Sequence, residues 1–201
     1  MPIQSEVELR EIFGHAKGRA AQKQLSQLEP HSMRFIELSP FMTISTFNQS
    51  GKLDCSPRGG AAGFVKILDT NRLLIPEAKG NNRLDSLVNI IETGKIGCLF
   101  LIPGVDETLR INGTASISTC PEHLAHFAKE KNPPKACIDI TIEEVFLHCA
   151  KSLMRSKLWS ESTKIERSKL PTMGQMIKDQ LQLSEEPESQ EAMLKRYQPL
   201  L

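Results

Sequence analysis

The sequence predicts a small antiparallel β-barrel flanked by helices, a mainly β fold of the α+β class. Three features point there. Between residues 35 and 118, short runs rich in β-branched and aromatic residues recur, and clusters of turn residues separate them at hairpin spacing. Only one strongly amphipathic helical stretch interrupts those runs.

The elements are read in order. Residues 5–28 carry Leu9, Ile12, Phe13, Ala16 and Ala20, with Leu25 and Leu28 later, a spacing that predicts an amphipathic helix weakened by Gly14 and Gly18 and closed by Pro30. FMTISTF (41–47) and KLDCSP (52–57) flank the turn Asn48-Gln49-Ser50-Gly51 and form a first hairpin. GFVKIL (63–68) and RLLIPE (72–77) flank Asp69-Thr70-Asn71 and form a second. IGCLFLIP (96–103) and TLRINGTASI (108–117) flank a turn holding Gly104 and Asp106. From Asn81 to Ile91, Leu84, Leu87, Val88 and Ile91 fall at i, i+3, i+4, i+7 and predict a helix with those four on its apolar face. A shorter helix is expected over 121–131, stopped by Pro133-Pro134. Residues 136–153 then read as one or two strands with Ile138, Ile140 and Ile142 in phase. Beyond residue 160 the chain turns polar: PTMGQMIKDQL reads as a surface helix and SEEPESQE as a mobile tail. The expected organisation is a barrel with its N-terminal helix over 1–160 and a partly helical or mobile C-terminal extension over 161–201.

Composition narrows the function. Apolar residues make up 39% and charged residues 24%, with a formal net charge of +1, so nothing in the bulk electrostatics calls for nucleic acid or a membrane surface. No apolar run approaches the ~20 residues that span a bilayer. The acidic N-terminus lacks the basic-then-apolar pattern of a secretory signal. The five cysteines are odd in number, widely spaced and without a CxxC pair, which reads as free thiols in a cytoplasmic protein. Cys98 and Cys137 lie in apolar runs and are expected in the core.

Three segments place polar residues where a barrel has no structural need of them. Ser56-Pro57-Arg58-Gly59-Gly60 ends a strand; its glycines permit close approach of a ligand, and Arg58 offers a planar donor fork suited to phosphate. Taken alone it reads more readily as an exposed turn with an incidental arginine. Lys79-Gly80-Asn81-Asn82-Arg83 precedes the amphipathic helix, whose first N–H groups attract anions; Asn81 or Asn82 can cap it and Arg83 can supply a full charge. Simple N-capping accounts for an asparagine but not for the whole combination. Neither GxxxxGK[ST] nor GxGxxG is present, which disfavours nucleoside triphosphate chemistry. The third segment, His148 to Trp159, sets the only tryptophan beside Lys151, Arg155 and Lys157, where a planar ring and donors can meet a flavin, or where a basic strand end can simply be anchored.

Other constellations are weaker. Cys120, His123 and His126 have metal-like spacing but no fourth ligand nearby, so no metal is expected. His148 and Cys149 are sequence neighbours, which a strand would point to opposite faces, so they do not make a nucleophile pair. The basic stretch Lys17–Lys23 lacks the aromatic interleaving of a single-strand-binding surface.

In order along the chain, SPFMTIST, GKLDCSPRGG, LLIPEAKGNNRLDSLVNI, LFLIPGVDETLRINGTA and HCAKSLMRSKLW resemble the pyridoxamine 5′-phosphate oxidase-like family of FMN-binding split β-barrels over most of residues 10–160. The pattern is similar to an uncharacterised subgroup rather than to the vitamin-making oxidases. The resemblance implies a homodimer with flavin mononucleotide (FMN) at the subunit interface. It implies that Ser56, Arg58 and Gly59 line the flavin, that Asn81, Asn82 and Arg83 hold its phosphate, that Thr108 contacts the ring, and that Arg155, Ser156 and Trp159 close the site from the other protomer. Two departures stand out: Gly60 replaces the subgroup's usual acidic residue after SPRG, and the Arg-x-His pair of true pyridoxamine-phosphate oxidases is missing near the C-terminus. The expected function is therefore an FMN-dependent oxidoreductase of unassigned substrate, with the cofactor supplying the chemistry and no side chain given a catalytic role. The competing reading is a non-catalytic flavin or tetrapyrrole (heme) binder on the same barrel.

Overall fold

A computed structural model of the chain describes residues 2–200, without the side chain of Ala20, which the helical stripe above includes. Seven strands, β1 (Phe41–Phe47), β2 (Leu53–Gly59), β3 (Lys66–Asp69), β4 (Arg72–Pro76), β5 (Lys95–Leu101), β6 (Thr108–Ser118) and β7 (Cys137–His148), form one sheet in the order β2-β1-β5-β6-β7-β4-β3. Every neighbouring pair is antiparallel. The fold is the split β-barrel expected from the sequence, with edges at β2 and β3.

Strand alternation builds the core. Met42, Ile44 and Thr46 of β1, Ile96, Cys98 and Phe100 of β5, and Leu109 and Ile111 of β6 are buried, and Ile138, Ile140, Ile142 and Val145 of β7 join them. Cys98 and Cys137 are both buried, and desolvation pushes the Cys98 thiol up to about 12. Between Asn112 and Gly113 the β6–β7 register shifts, leaving Glu143 unmatched. A Cβ on Gly113 would collide with the Thr141 carbonyl oxygen, so the bulge admits only glycine there.

The helices depart from expectation at the N-terminus. In place of one helix closed by Pro30, the chain forms α1 (Glu6–Phe13), α2 (Arg19–Gln22) and α3 (Pro30–Leu38). Gly14 and Gly18 take positive φ (69° and 57°) and break the run. Pro30 opens α3, because a first-turn proline loses no intrahelical bond. Glu29 caps that helix, accepting from Ser32 N at 2.6 Å and His31 N at 2.8 Å, while Phe35 and Ile36 pack into the barrel.

The helix expected from Asn81 runs as α4 (Asp85–Thr93), with Leu84 in left-handed conformation at its N-cap and no side-chain cap. Asn81 and Asn82 therefore do not cap it. Its orientation also differs from expectation. Ser86, Leu87, Asn89 and Ile90 are buried, whereas Leu84, Val88 and Ile91 are exposed. The cause lies in the strands beneath: Thr46, Asp54 and Ser56 face inward and need polar partners, so the helix turns Ser86 and Asn89 toward them.

Near the C-terminal side, α5 (Pro121–Ala125) stops short of residue 131. Just beyond it, Phe127 joins a second small core with Leu74 and Cys137. Residues 136–153 divide into β7 and the start of α6 (Lys151–Ser156). The surface helix expected after residue 170 is α7 (Met173–Leu181), and part of the segment read as a tail leads into α8 (Gln190–Tyr197), capped by Ser189 and tied by the Glu188–Arg196 ion pair at 2.7 Å. Among the described residues no helix is long and apolar enough to cross a membrane.

Candidate functional site

The site grows from the edge strand β2. Period-two alternation places Asp54, Ser56 and Arg58 on one face, half-buried, while Leu53, Cys55, Pro57 and Gly59 face out. The inward residues pair across the ladder with Thr46, Ile44 and Met42 of β1. Without a core to fill, this polar row receives α4. Asp54 Oδ2 accepts from Ser86 Oγ at 2.5 Å and from Ser56 Oγ at 2.8 Å, and the two hydroxyls lie 3.0 Å apart. Beside them, Asn89 Nδ2 donates to Thr46 Oγ1 at 3.0 Å.

Arg58 spans the split of the barrel. Its Nη2 meets Glu77 Oε2, just past β4, at 3.2 Å, and Nη1 donates to Pro57 O at 2.9 Å. The Arg58 and Glu77 side chains are only 16% and 21% exposed, so this pair is partly desolvated. Arg58 Nε is buried with no hydrogen-bond partner. An ion pair thus joins edge strand β2 to the far side of the sheet, where no backbone ladder does.

The connection from Glu77 to α4 carries Asn81, Asn82 and Arg83, all exposed. Asn82 and Leu84 hold positive φ (60° and 58°), which side-chain-bearing residues seldom adopt. Asn81 Oδ1 accepts from Arg83 N at 3.1 Å, and the Arg83 guanidinium pairs with Asp85 at 2.8 Å. Those bonds to Asp85 raise the Arg83 pKa, with the Asp54 charge adding to it. A cleft of about 280 Å³, lined in part by Lys52, Asp54, Arg83, Asp85 and Glu92, opens beside this corner. The Arg58–Glu77 and Ser56–Ser86 contacts fasten to β2 the two ends of the connection that carries Asn81, Asn82 and Arg83; of these candidates, Arg83 lines the cleft and Ser56, Arg58, Asn81 and Asn82 do not.

The remaining candidates collect elsewhere. Thr108 begins β6, buried opposite His148 at the end of β7. Trp159, half-buried, donates from Nε1 to Val105 O at 2.9 Å and so ties the segment after α6 to the β5–β6 turn of its own chain. Arg155 and Ser156 are exposed on α6; their side chains bond Lys151 O and Leu153 O. His148 packs at 4.8 Å against Phe146, and burial, then the charges of Arg110 and Lys23, lower its pKa below the ordinary 6.5. His123 Nδ1 is bonded to Ser118 Oγ at 2.8 Å, and no group of three metal-ligating side chains assembles among the described residues.

Gly60 has a steric reason. A Cβ there would stand 2.8 Å from Phe64 Cβ and 3.1 Å from its Cγ, and Phe64 is a core residue. An acidic side chain at this position would press on Phe64 as it packs here.

Sequence reasoning passed over Asp54, Glu77, Asp85 and Ser86. The signal for Asp54 was the alternation of β2 itself, once the strand is extended to Gly59. Glu77, Asp85 and Ser86 lie within the LLIPEAKGNNRLDSLVNI segment, but their pairing with Arg58, Arg83 and Asp54 emerges only in the fold.

Residues 28–149, well over half of the chain, match the family model described as pyridoxamine 5′-phosphate oxidase. The chain belongs to this family. No curated protein sequence matches it. Among solved structures, this member of the pyridoxamine 5′-phosphate oxidase family is similar to HupZ from Group A Streptococcus (19% identity over 60% of this chain and 93% of that one, TM-score 0.50). It is also similar to a putative pyridoxamine 5′-phosphate oxidase from Lactobacillus delbrueckii (18% identity, 61% and 99% coverage, TM-score 0.46) and an FMN-binding protein from Syntrophomonas wolfei (14%, 58% and 88%, TM-score 0.42). The likeness to HupZ is one of fold.

Proposed function

We propose that this protein binds FMN between two copies of itself and acts in the cytoplasm as a flavin-dependent oxidoreductase of unassigned substrate. The observation that carries the reading is the fastening of the connection that bears Asn81, Asn82 and Arg83 to the strand that bears Ser56 and Arg58, in a chain of this family. Two guanidinium groups and two amides make a donor set suited to a phosphate dianion, while the Ser56 hydroxyl gives its proton to Asp54 and braces the strand beneath them. The buried, unpartnered Nε of Arg58 is a donor still lacking an acceptor. When bound, FMN would supply hydride or electron transfer. The chain's own residues would hold its phosphate, orient the ring and exclude water.

In this reading a second copy supplies the Arg155–Trp159 segment. The outer face of β1 and β2 supports such pairing: Phe41 and Phe47 are 39% exposed and Leu53 is 79% exposed. In this reading Gly59 and Thr108 lie along the flavin, and Arg155, Ser156 and Trp159 reach it from the partner.

The test is spectroscopic. Protein purified without added cofactor is expected to be yellow, and anaerobic NADH, NADPH or a reduced deazaflavin is expected to bleach the ~450 nm band at ~1 per second or faster. Colourless protein that takes up no FMN on titration sinks the flavin reading. Flavin that binds but is reduced by none of these donors removes the oxidoreductase half of it.

A further inference from the structure

Both arginines of the phosphate corner already hold a carboxylate. Arg83 bonds Asp85 at 2.8 Å, and Arg58 bonds Glu77 at 3.2 Å. These pairs differ in setting. Arg83 and Asp85 are 75% and 49% exposed, so water competes with their attraction; Arg58 and Glu77 are well shielded, and their attraction is stronger. The left-handed Leu84 stands between Arg83 and Asp85 and brings that short-range pair together at the helix start. Asp54, whose charge also reaches Arg83, has both its serine donors supplied by Ser56 and Ser86. An anion that approaches either arginine therefore meets a guanidinium group that is oriented and neutralised from within.

We propose that Asp85 and Glu77 are internal counter-anions of the phosphate site, which hold Arg83 and Arg58 in place and which a phosphate group must displace or share to bind. This inference rests on the phosphate reading above and adds to it what sets affinity. A single negative charge exchanged for a carboxylate gains little, whereas a dianion offers a second charge and more acceptor oxygens to the same donors. The carboxylates thus select for doubly charged headgroups and keep the bound ligand exchangeable.

The experiment titrates FMN, riboflavin and inorganic phosphate (by competition with FMN) against the full-length wild type and the Asp85→Asn, Glu77→Gln and Arg83→Ala variants. Asp85→Asn is expected to tighten FMN about fivefold, the upper range for an exposed pair, and the gain should shrink as salt rises. Glu77→Gln should tighten it further, about tenfold, because its pair is better shielded. Riboflavin, which lacks the phosphate, should bind all four proteins alike, and Arg83→Ala should lose at least tenfold in FMN affinity. If Arg83→Ala weakens FMN while Asp85→Asn leaves it unchanged or weakens it, the counter-anion proposal is wrong and the phosphate site stands. If Arg83→Ala changes nothing, or the wild type binds no FMN, the phosphate reading itself falls. Asp85 lies on the surface, so its variant keeps the test decisive even if Glu77→Gln fails to fold.

Discussion

Ser56 Oγ and Ser86 Oγ stand 3.0 Å apart, and the Asp54 carboxylate accepts from both. This triangle is the joint between an edge strand and the start of α4. Ser86 is almost fully buried, so its hydroxyl has no water to fall back on. Ser86→Ala should destabilise the protein by about 1–2 kcal/mol, since Asp54 keeps one donor and loses the other. Urea unfolding measures it. FMN affinity should fall in the same variant, because the corner before α4 loses its tie to β2. A variant as stable as the wild type would mean that the triangle carries no energy.

The Gly60–Phe64 contact predicts a coupled pair. Gly60→Asp forces a Cβ against the Phe64 ring and should cost about 1–3 kcal/mol. Phe64→Ala leaves a cavity in the core and should cost about 3–5 kcal/mol on its own. In the double variant the acidic side chain finds room, so the total should fall short of the sum by at least ~1 kcal/mol in a thermal-unfolding cycle. Strict additivity would separate the two positions.

Most of the barrel was legible because its strands alternate visibly. β1 was read to the residue, and the partners of the other hairpins within a few positions, since apolar period and turn chemistry agree there. What misled lay where polar residues are buried. The apolar spacing of Leu84, Leu87, Val88 and Ile91 pointed to one face of α4, yet Thr46, Asp54 and Ser56 need donors and acceptors and so rotate Ser86 and Asn89 inward. Pro30 was read as a stop because proline ends a helix in its interior, but the same residue begins one when an acceptor such as Glu29 precedes it. At the site, Arg58 and Arg83 were visible as donors. Their partners were not: the Arg58–Glu77 pair crosses the split barrel and leaves no spacing in the sequence, and the Arg83–Asp85 pair closes over a left-handed Leu84, a conformation leucine seldom adopts.

Glu29 gives an acid-sensitive contribution. Burial pulls its carboxyl up, but the Ser32 side chain and the His31 and Ser32 N–H groups outweigh that and hold it below the ordinary value of 4.5. A carboxyl lowered in the folded state stabilises the protein fully above its unfolded pKa. That stability disappears as pH falls from about 4.5 through the lower folded value. Glu29→Ala should cost about 1 kcal/mol at pH 7. The gap between variant and wild type should narrow as pH falls below about 4 in denaturant titrations; a constant gap would show that the carboxylate charge plays no part.

The thiols test whether two copies pair through the outer face of β1 and β2. Cys98 and Cys137 are buried, and desolvation raises both above the ordinary thiol value, Cys98 to about 12, so neither should react with a thiol reagent near pH 8 in the folded protein. Cys55, Cys120 and Cys149 are exposed. Cys55 differs from the other two in position: it lies on the outer face of β2, with Ser45 of β1 3.7 Å away and Leu53 beside it on the same face. If that apolar face joins two protomers, Cys55 becomes covered while Cys120 and Cys149 stay open. Raising the protein concentration through the dimerisation range should therefore slow Cys55 modification, read peptide by peptide in mass spectrometry, and leave the other two rates unchanged. Leu53→Lys places a charge on the same face and should restore fast reaction at every concentration. A Cys55 rate independent of concentration in a protein that sediments as a dimer would put the shared surface elsewhere on the molecule.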